Sequence, residues 1–405
     1  MLAPELLPVC GGVGTYIIDL VRHMPKETEV HVVTPMRKGF GPARICSSDY
    51  DFSKYFGSNV HIHFISNAND SFVYNGKFQF NCFRKVPQLV KEYGLDLVHS
   101  HTAHMPDLLL RYRGLKTPFV STIHTTIGGQ REGTKGSGMG FSGLAFSEKL
   151  TYLTFPFLSL AEAVYFSRSR YYITVSNWMK ELMIQKFLEI EDSNISVIHN
   201  SVNVERYSPG KKRGLQRDII LITGRLVAAK GIGYLVEAMP RVIALFPDAL
   251  FIFIGPGNSF PYKKRLQELG VSRRNFLFLG YLKDANSLVE YYRSASVFLA
   301  PTLYENLPIR VLEAMACGVA VVASNVCAVP EVIENGVNGL LVRPGSVVDL
   351  SNAICCLLSD PDLRRKLGEN ARRTVLEKFN WRLNAPKISN VYEDILNNSN
   401  QKVLA

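Results

Sequence analysis

Two glutamates with seven residues between them stand out as groups that could bind hydroxyls. Glu305 lies in a short segment between Pro301 and Pro308, and Glu313 lies one to two turns into a predicted helix over 309–317. A carboxylate accepts several hydrogen bonds, so Glu313 could hold the paired hydroxyls of a ribose and Glu305 those of a second sugar. The simpler interpretation is that Glu305 caps the helix and Glu313 makes a surface ion pair. The surrounding elements favour the first interpretation.

The segment around these glutamates has the pattern of a strand, a loop, a helix and a second strand. Residues 297–299 and 319–323 are apolar runs typical of buried strands. Pro308 suits the first helical position, and Gly318 suits the residue after the last turn. Open α/β sheets bind ligands at the carboxyl ends of their strands, and backbone N–H groups at a helix start attract anions. The pattern therefore predicts a binding loop over 301–308.

Two cations follow another predicted strand, over 218–223. Gly224 and Arg225 come directly after it, and Lys230 lies just before the next helix. A guanidinium group binds phosphate oxygens as a fork, and an ammonium group adds a point charge. A solvated surface pair is the alternative. The pair predicts a phosphate site beside a strand end in the second half of the chain.

Histidines end two predicted strands in the first half of the chain, His101 in one and His124 in the next. A single histidine at a strand end is more often structural, but two neighbouring strands that both end this way favour a binding role. Gly12 and Gly14 belong to a glycine loop that opens a helix over 15–24. Such glycines let backbone approach a phosphate, although turns and helix packing use them too.

Composition narrows the class of protein. The 405 residues are too many for one compact core and predict two domains, and 47% hydrophobic with 20% charged residues is ordinary for a soluble globular protein. The net charge of +11 is uneven, with +3 in residues 1–200 and +8 in residues 201–405. A basic second half suits a polyanionic small ligand, and no nucleic-acid motif accompanies it.

Targeting and cysteine patterns predict a cytoplasmic protein, with peripheral contact at the inner face of a membrane as a possibility. The chain shows no apolar run of membrane-spanning length and no secretion signal. Its seven cysteines are an odd number without C-x-x-C spacing, which predicts reduced thiols and no metal site. The D-x-D sequence at 49–51 follows no apolar strand, so we interpret it as a solvated loop.

Both halves alternate predicted strands and helices, which indicates an α/β protein of two Rossmann-like domains facing across a cleft. We expect a first domain over 1–203, a second domain over 204–380 and a terminal helix over 381–405. Only four residues precede the first loop region, so the central strand of the first domain is expected to be truncated. The start of the sequence thus predicts that a version extended upstream would be more stable.

Two further segments carry predictions of their own. Seven glycines between Ile127 and Gly143 predict a mobile loop over a substrate site, with a disordered insertion as the alternative. Residues 155–166 predict an apolar helix of the core, with a membrane-facing surface as the alternative.

The segment E-N-L-P-I-R-V-L-E-A-M-A-C-G-V-A-V-V-A-S resembles the donor-binding E-x7-E segment of the retaining glycosyltransferases of family 4. That family has the two-domain GT-B fold, and the resemblance extends over nearly the whole chain. The usual family pattern has Phe-Gly where this chain has Leu307 and Pro308. The proline removes one backbone amide that could reach the donor.

The resemblance implies roles for particular residues of this sequence. It assigns catalysis to Arg225, Lys230, Glu305 and His124. It assigns donor binding to Gly12, Gly14, Gly224, Gly280, Tyr281, Leu282, Asn306, Leu307, Pro308, Ile309 and Glu313. It makes residues 1–203 the acceptor-side domain and residues 204–380 the nucleotide-sugar-binding domain, with the helix over 381–405 crossing back to the first domain. The acceptor side receives His101, Asn200 and the glycine-rich loop, and no metal is implied.

The implied reaction moves a sugar from a nucleotide diphosphate sugar, with UDP or GDP as the nucleotide, to an acceptor hydroxyl with retained configuration. The acceptor is a saccharide, a lipid or a small metabolite, and no cofactor is required. A nucleotide-sugar epimerase of the same fold and a non-catalytic sugar-nucleotide-binding subunit are the alternatives. An NAD oxidoreductase is disfavoured because G-x-G-x-x-G after a strand is missing from the sequence.

Overall fold

The computed structural model describes residues 1–7, 11–37, 51–68, 71–102, 105–138, 140–167, 171–210, 217–282 and 284–404. The chain divides into two compact units. The first unit consists of Met1–Thr126, Leu160–Asn200 and Trp381–Ala405, and the second consists of Ile127–Ser159 and Ser201–Asn380. Both units alternate strands and helices, as the sequence predicts.

In the described residues the strands are β1 (Val30–Arg37), β2 (Val60–Ala68), β3 (Val98–His101), β4 (Phe119–Ile123), β5 (Tyr171–Thr174), β6 (Ile195–Val197), β7 (Ile219–Thr223), β8 (Leu250–Ile254), β9 (Phe276–Gly280), β10 (Val297–Ala300), β11 (Ala320–Ser324) and β12 (Leu340–Val342). The helices are α1 (Gly12–His23), α2 (Ser71–Tyr93), α3 (Ile127–Gly136), α4 (Phe146–Leu153), α5 (Phe155–Phe166), α6 (Asn177–Lys186), α7 (Ile232–Leu245), α8 (Phe260–Glu268), α9 (Ala285–Ser294), α10 (Ile309–Ala316), α11 (Val329–Val332), α12 (Val347–Ser359), α13 (Pro361–Lys378) and α14 (Trp381–Leu404).

The first unit is built on parallel strands. β1 pairs with β2, and β3 to β6 form a second group in chain order. The two groups are joined by Leu2, which bridges Val33 on one side and Ser100 on the other. The N–H of Leu2 donates to the carbonyl of His99 at 2.7 Å, and the N–H of Ala3 donates to the carbonyl of Val33 at 2.9 Å. The strand ends therefore share one carboxyl edge, where β3 and β4 place their last residues.

The second unit contains a six-stranded parallel sheet in the order β12-β11-β10-β7-β8-β9. Its strands are short runs of Val, Ile, Leu and Phe, because a parallel sheet covered by helices buries both of its faces. Chain order reverses between β7 and β10, so the loops that follow these two strands flank a topological switch point. Ligands of open α/β sheets bind at such a point. The predicted α/β fold is confirmed.

The strand–loop–helix–strand unit around the two glutamates is β10, α10 and β11. Gly318 ends α10 with a φ of 74°, and the N–H of Val319 donates to the carbonyl of Ala314 at 3.1 Å. This left-handed cap is the ending that the sequence predicts. Pro308 lies one position earlier than predicted, at the N-cap of α10. The loop 301–308 thus enters the helix directly.

Most of the glycine-rich segment is helical, so the prediction that it forms a loop without regular structure is wrong. α3 spans Ile127–Gly136, and α4 follows at Phe146–Leu153. A Cβ atom built on Gly129 would lie 1.9 Å from the ring of Tyr304, and one on Gly133 would lie 2.6 Å from the Cβ of Tyr304. These glycines therefore let α3 pack directly against the loop that carries Glu305. Close packing, not flexibility, explains them.

The apolar helix α5 has the predicted bounds, but most of its apolar side chains do not lie in the core. Phe157 is 77% exposed, and Leu160 and Val164 are also exposed. Tyr165 and Phe166 at its end are buried. In the described residues no helix combines the length and apolar character needed to cross a bilayer.

The D-x-D sequence falls largely outside the described residues, since only Asp51 is described. Asp51 accepts a hydrogen bond from the N–H of Ser53 at 3.2 Å and caps a short exposed 3₁₀ turn. The cysteines of the described residues are free thiols, namely Cys82, Cys317, Cys327, Cys355 and Cys356. Cys10 and Cys46 lie outside the described residues.

Candidate functional site

The loops that follow β7 and β10 are held together by backbone contacts in the second unit. The N–H of Leu303 donates to the carbonyl of Ala229 at 2.9 Å, and the hydroxyl of Thr302 donates to the same carbonyl at 3.2 Å. Gly231 has a φ of 67°, and a Cβ atom there would lie 1.9 Å from the carbonyl oxygen of Pro301. A glycine is thus required where the two loops meet.

The ammonium group of Lys230 forms an ion pair with the carboxylate of Glu305 across this meeting point. The side chains are partly exposed, 32% for Lys230 and 24% for Glu305. Two residues that the sequence singles out separately, one as a phosphate ligand and one as a sugar ligand, are therefore neighbours. Opposite charges side by side at a switch point can receive the charged and hydroxylated parts of one ligand.

Arg225 is exposed and follows Gly224, whose φ is 128°. The N–H of Gly224 donates to the carbonyl of Ile254 at 2.9 Å, which fixes the turn that presents Arg225. Within the part of the chain that the structure describes, the guanidinium group of Arg225 has no hydrogen-bond or ion-pair partner. This cation is therefore available to an anionic ligand at the carboxyl edge.

Glu313 is fully buried, and its carboxylate is held by two side chains. Nη1 of Arg310 donates to Oε1 and Oε2 at 2.9 and 2.7 Å, and the hydroxyl of Tyr292 donates to Oε2 at 2.7 Å. Oη of Tyr292 also lies 2.8 Å from Oγ1 of Thr223, at the end of β7. Burial and the neighbouring Glu313 raise the pKa of Tyr292 well above its ordinary value. The tyrosine is therefore a neutral donor.

This arrangement excludes the exposed ion pair that was the simpler interpretation of Glu313. The carboxylate of Glu313, which was expected to accept ribose hydroxyls, is instead buried against Arg310 and Tyr292. Burial alone would lower the pKa of Arg310, but the charge of Glu313 raises it well above its ordinary value. The Arg310 side chain keeps partial exposure and its positive charge.

The remaining predicted donor residues of the second unit lie in the loops that follow β10 and β9. Asn306, Leu307, Pro308 and Ile309 are buried residues that lead into α10. Gly280 ends β9 with a φ of 71°, and its carbonyl accepts a hydrogen bond from the N–H of Gly255 at 2.8 Å. Tyr281 and Leu282 follow it as half-buried residues.

His101 and His124 meet at the carboxyl edge of the first unit. Nδ1 of His101 lies 3.1 Å from Nε2 of His124, and the ring of Tyr16 packs edge-on against both imidazoles at 5.6 and 4.7 Å between centroids. Burial lowers the pKa of His101 well below its ordinary value and that of His124 to about 3. Both rings are therefore neutral near pH 7. His124 is the more exposed of the two and can exchange hydrogen bonds with a ligand.

Residues that the sequence did not single out support these histidines. Nδ1 of His99 lies 2.5 Å from the hydroxyl of Tyr392 in α14, and its Nε2 lies 2.7 Å from Oγ1 of Thr122. Trp381, the first residue of α14, packs its ring edge-on to Tyr16 at 4.9 Å. The alternation of histidines at 99 and 101 was the available signal for His99. Tyr392 gave none because it is 293 residues away.

The predicted glycine loop and Asn200 also belong to the first unit. Gly11 is the N-cap of α1, and its N–H donates to Oε2 of Glu5 at 2.9 Å. Gly12 starts the helix, and Gly14 is buried inside it. The carboxylate of Glu5 thus already accepts a hydrogen bond from one of the N–H groups that were expected to approach a phosphate. Asn200 follows β6 as a buried residue.

Comparison with known proteins identifies the family. The model described as "Glycosyltransferase Family 4" matches residues 10–206, and that described as "Glycosyl transferases group 1" matches residues 204–374. An uncharacterized glycosyltransferase of Methanocaldococcus jannaschii is 32% identical over 313 residues, which are 74% of this chain and 75% of that protein.

Solved structures show the same fold. Sucrose-phosphate synthase from Thermosynechococcus elongatus matches with a TM-score of 0.77 at 21% identity over 95% of this chain and 94% of the other. Anabaena HepE, solved in complex with UDP and glucose, matches with a TM-score of 0.73 at 17% identity over 97% and 99% of the two chains. These matches do not favour an epimerase or a binding subunit. The chain is a sugar-transferring member of the group 1, family 4 glycosyltransferases and has the GT-B fold.

Proposed function

We propose that the chain transfers a sugar from a nucleotide diphosphate sugar to an acceptor hydroxyl with retention of the anomeric configuration. The observation that carries the proposal is the Lys230–Glu305 ion pair at the switch point between β7 and β10. A donor of this class presents a diphosphate beside a ring of hydroxyls, and the pair offers one group for each.

The phosphate end of the donor is assigned to three positive features. Lys230, the exposed Arg225 and the backbone N–H groups at the start of α10 all follow the carboxyl ends of β7 and β10. Negative charge develops on the diphosphate as the sugar departs, and fixed cations stabilise that charge in the transition state. The two cations make a catalytic metal unnecessary for this reaction.

The sugar end of the donor is assigned to Glu305. When a diphosphate takes over the positive charge of Lys230, the carboxylate of Glu305 exchanges the ammonium group for sugar hydroxyls. Each charged group thereby exchanges one hydrogen-bonding partner for another, so neither is left without a partner when the ion pair opens.

The bond changes follow a front-face path. The acceptor oxygen attacks the anomeric carbon on the face from which the phosphate leaves, so one C–O bond forms while the sugar–phosphate C–O bond breaks. The acceptor's proton passes to an oxygen of the leaving diphosphate. The family resemblance assigns His124 a contact with a sugar hydroxyl, and a neutral imidazole can make that hydrogen bond. His101 holds the His124 ring from behind at 3.1 Å.

The donor nucleotide and the acceptor class are inferred from similar proteins. The HepE structure contains UDP and glucose, and another similar structure is a sucrose-phosphate synthase. These names support a UDP-sugar as the donor and a saccharide as the acceptor, by analogy of fold.

Exposed apolar side chains of α5, of which Phe157 is the most exposed, support a peripheral membrane contact as an addition to this proposal. Co-sedimentation with anionic vesicles tests it. Phe157→Ser should reduce the bound fraction, whereas the same change at the buried Phe166 would only damage the fold. Equal co-sedimentation of the wild type and Phe157→Ser would contradict the proposed membrane contact.

The proposed reaction is tested by incubating the protein with UDP-, GDP- and ADP-sugars and a panel of saccharides. Release of the nucleoside diphosphate measures turnover, and NMR of the product measures the anomeric configuration. One donor should be used in preference to the others and give a retained anomer in the presence of EDTA. An inverted product would contradict the front-face path.

A further inference from the structure

Three histidines and a glutamate cluster at the amino-terminal edge of the first unit's sheet. Glu29 directly precedes β1, and His31 lies in β1 opposite His61 in β2. His63 lies two residues further along β2, opposite Val33. Because β1 and β2 run parallel, this edge is opposite the carboxyl edge that carries the candidate functional residues. The sequence pattern around these residues predicts strands and gives no sign of a site.

The spacing of three donor atoms in the cluster fits a metal ion. Oε1 of Glu29 lies 3.1 Å from Nε2 of His31 and 3.1 Å from Nε2 of His61. One ligand atom from each of the three residues lies within 4.8 Å of the other two. Ligands bound tetrahedrally to Zn²⁺ at about 2.0–2.1 Å stand roughly 3.3 Å apart. Small side-chain adjustments would therefore bring all three atoms onto one ion.

His63 contacts His31 as an outer-sphere residue contacts a metal ligand. Nδ1 of His31 lies 2.9 Å from Nε2 of His63, and their rings stack at 5.1 Å with 9° between planes. The ring of Tyr93 covers the pair, 4.5 Å from His31 and 5.5 Å from His63. Histidine ligands of metals usually donate their second ring N–H to such a partner, which fixes the ring orientation.

The three proposed ligands differ in how far their side chains are exposed to solvent. His31 is buried and fixed, whereas the side chains of Glu29 and His61 are 61% and 43% exposed. One anchored ligand and two solvent-facing ligands give an ion a path of entry and leave room for water at the fourth position. The donor set of two imidazoles and one carboxylate suits Zn²⁺ rather than Mg²⁺ or Ca²⁺, which prefer oxygen ligands.

We propose that Glu29 Oε1, His31 Nε2 and His61 Nε2 bind one Zn²⁺ ion per chain, with His63 orienting His31. The ion joins the segment before β1 to the start of β2 and stabilises that edge of the sheet. It takes no part in sugar transfer, since it lies at the other edge from His101 and His124. This site is independent of the proposed reaction.

A hydrogen-bonded cluster without metal is the competing explanation. The two explanations differ in which ring nitrogens of His31 and His63 carry protons. Without metal, Nε2–H of His31 donates to Glu29, and Nδ1 of His31 must then accept from His63. With Zn²⁺ on Nε2, the direction of the His31–His63 hydrogen bond is reversed, because Nδ1 becomes the donor.

The test titrates Zn²⁺ alone into EDTA-treated, buffer-exchanged full chain in competition with a colorimetric chelator. Glu29→Gln and His61→Gln are the test variants because both side chains are exposed and their loss should not unfold the chain. Glu27→Gln is the matched control, an exposed carboxylate two residues away. His63→Gln probes the outer partner.

We expect one Zn²⁺ per wild-type chain and per Glu27→Gln chain, with a rise in the melting temperature on binding. Glu29→Gln and His61→Gln should each lose binding at least 100-fold, and His63→Gln should lose it about 10- to 100-fold. Circular dichroism of the metal-free variants should match the wild type. Absence of stoichiometric binding, or equal affinity in Glu27→Gln and Glu29→Gln, would overturn the proposal.

Discussion

The hydroxyl of Tyr292 donates a hydrogen bond of 2.7 Å to Oε2 of Glu313, and both side chains are fully buried. This bond links α9 to the second glutamate of the E-x7-E segment, and Thr223 extends it to the end of β7. The position of Glu313 is therefore fixed by elements on both sides of the switch point.

Tyr292→Phe is predicted to destabilise the chain by about 1–3 kcal/mol. The change leaves a buried carboxylate oxygen and the Thr223 hydroxyl each without one partner. Urea unfolding measures the loss, with Tyr291→Phe as the control, since Tyr291 is the half-buried neighbour on α9. If both variants unfold at the same urea concentration as the wild type, the Tyr292 hydroxyl contributes nothing to stability.

Gly133→Ala is predicted to destabilise the second unit and lower activity, although alanine normally favours a helix. The added Cβ atom would lie 2.6 Å from the Cβ of Tyr304, which side-chain rotation cannot move. Overpacking of this kind costs about 1–3 kcal/mol. Unfolding and turnover are both measured.

Gly136→Ala in the same helix is the matched control for that change. Its Cβ atom would lie 3.9 Å from Leu303, an ordinary contact. Helix propensity should therefore leave its stability unchanged or raise it by up to about 1 kcal/mol. Similar behaviour of the two alanine variants would show that α3 does not need glycine against Tyr304.

The buried histidines predict a loss of stability on mild acidification. Burial lowers the pKa of His124 to about 3 in the folded chain, whereas an unfolded histidine titrates near 6.5. Between these two pH values a proton binds His124 only in the unfolded state and thereby stabilises that state. The free energy of unfolding is therefore highest above pH 6.5 and decreases as the pH falls. At pH 5 the expected loss is about 2 kcal/mol for this one group.

Comparison of His124→Gln with the wild type isolates this effect. The free energy of unfolding is measured at pH 7.5 and pH 5 for both proteins. The variant should lose less stability between the two pH values, because glutamine does not titrate. An equal loss would mean that His124 binds its proton in the folded state as readily as in the unfolded state.

The sequence predicts the strands and the positions of the loops after β7 and β10 well because their signals are local. Short apolar runs mark the strands, and Pro308 and Gly318 mark the ends of α10 within one residue. The burial of Glu313 was not predictable in this way. Its partner Tyr292 lies 21 residues away, and only the packing of α9 against the sheet brings the two together.

Two other features depend on long-range contacts that spacing does not reveal. The glycines of α3 suggested flexibility, whereas their partner is Tyr304, far along the chain. The histidines of β1 and β2 are separated by 30 residues, and the parallel register of the two strands places His31 opposite His61. In each case the role of the residues depends on a contact with a residue distant in sequence, which the local pattern does not reveal.

The central claim is that Lys230 neutralises the leaving diphosphate, and steady-state turnover of Lys230→Ala with the preferred nucleotide sugar tests it most directly. Lys264→Ala is the matched control, an exposed lysine in α8 of the same unit. We predict that Lys230→Ala lowers turnover about 100- to 1000-fold while the melting temperature changes little, and that the control keeps wild-type turnover. Near-normal turnover in Lys230→Ala would contradict the account.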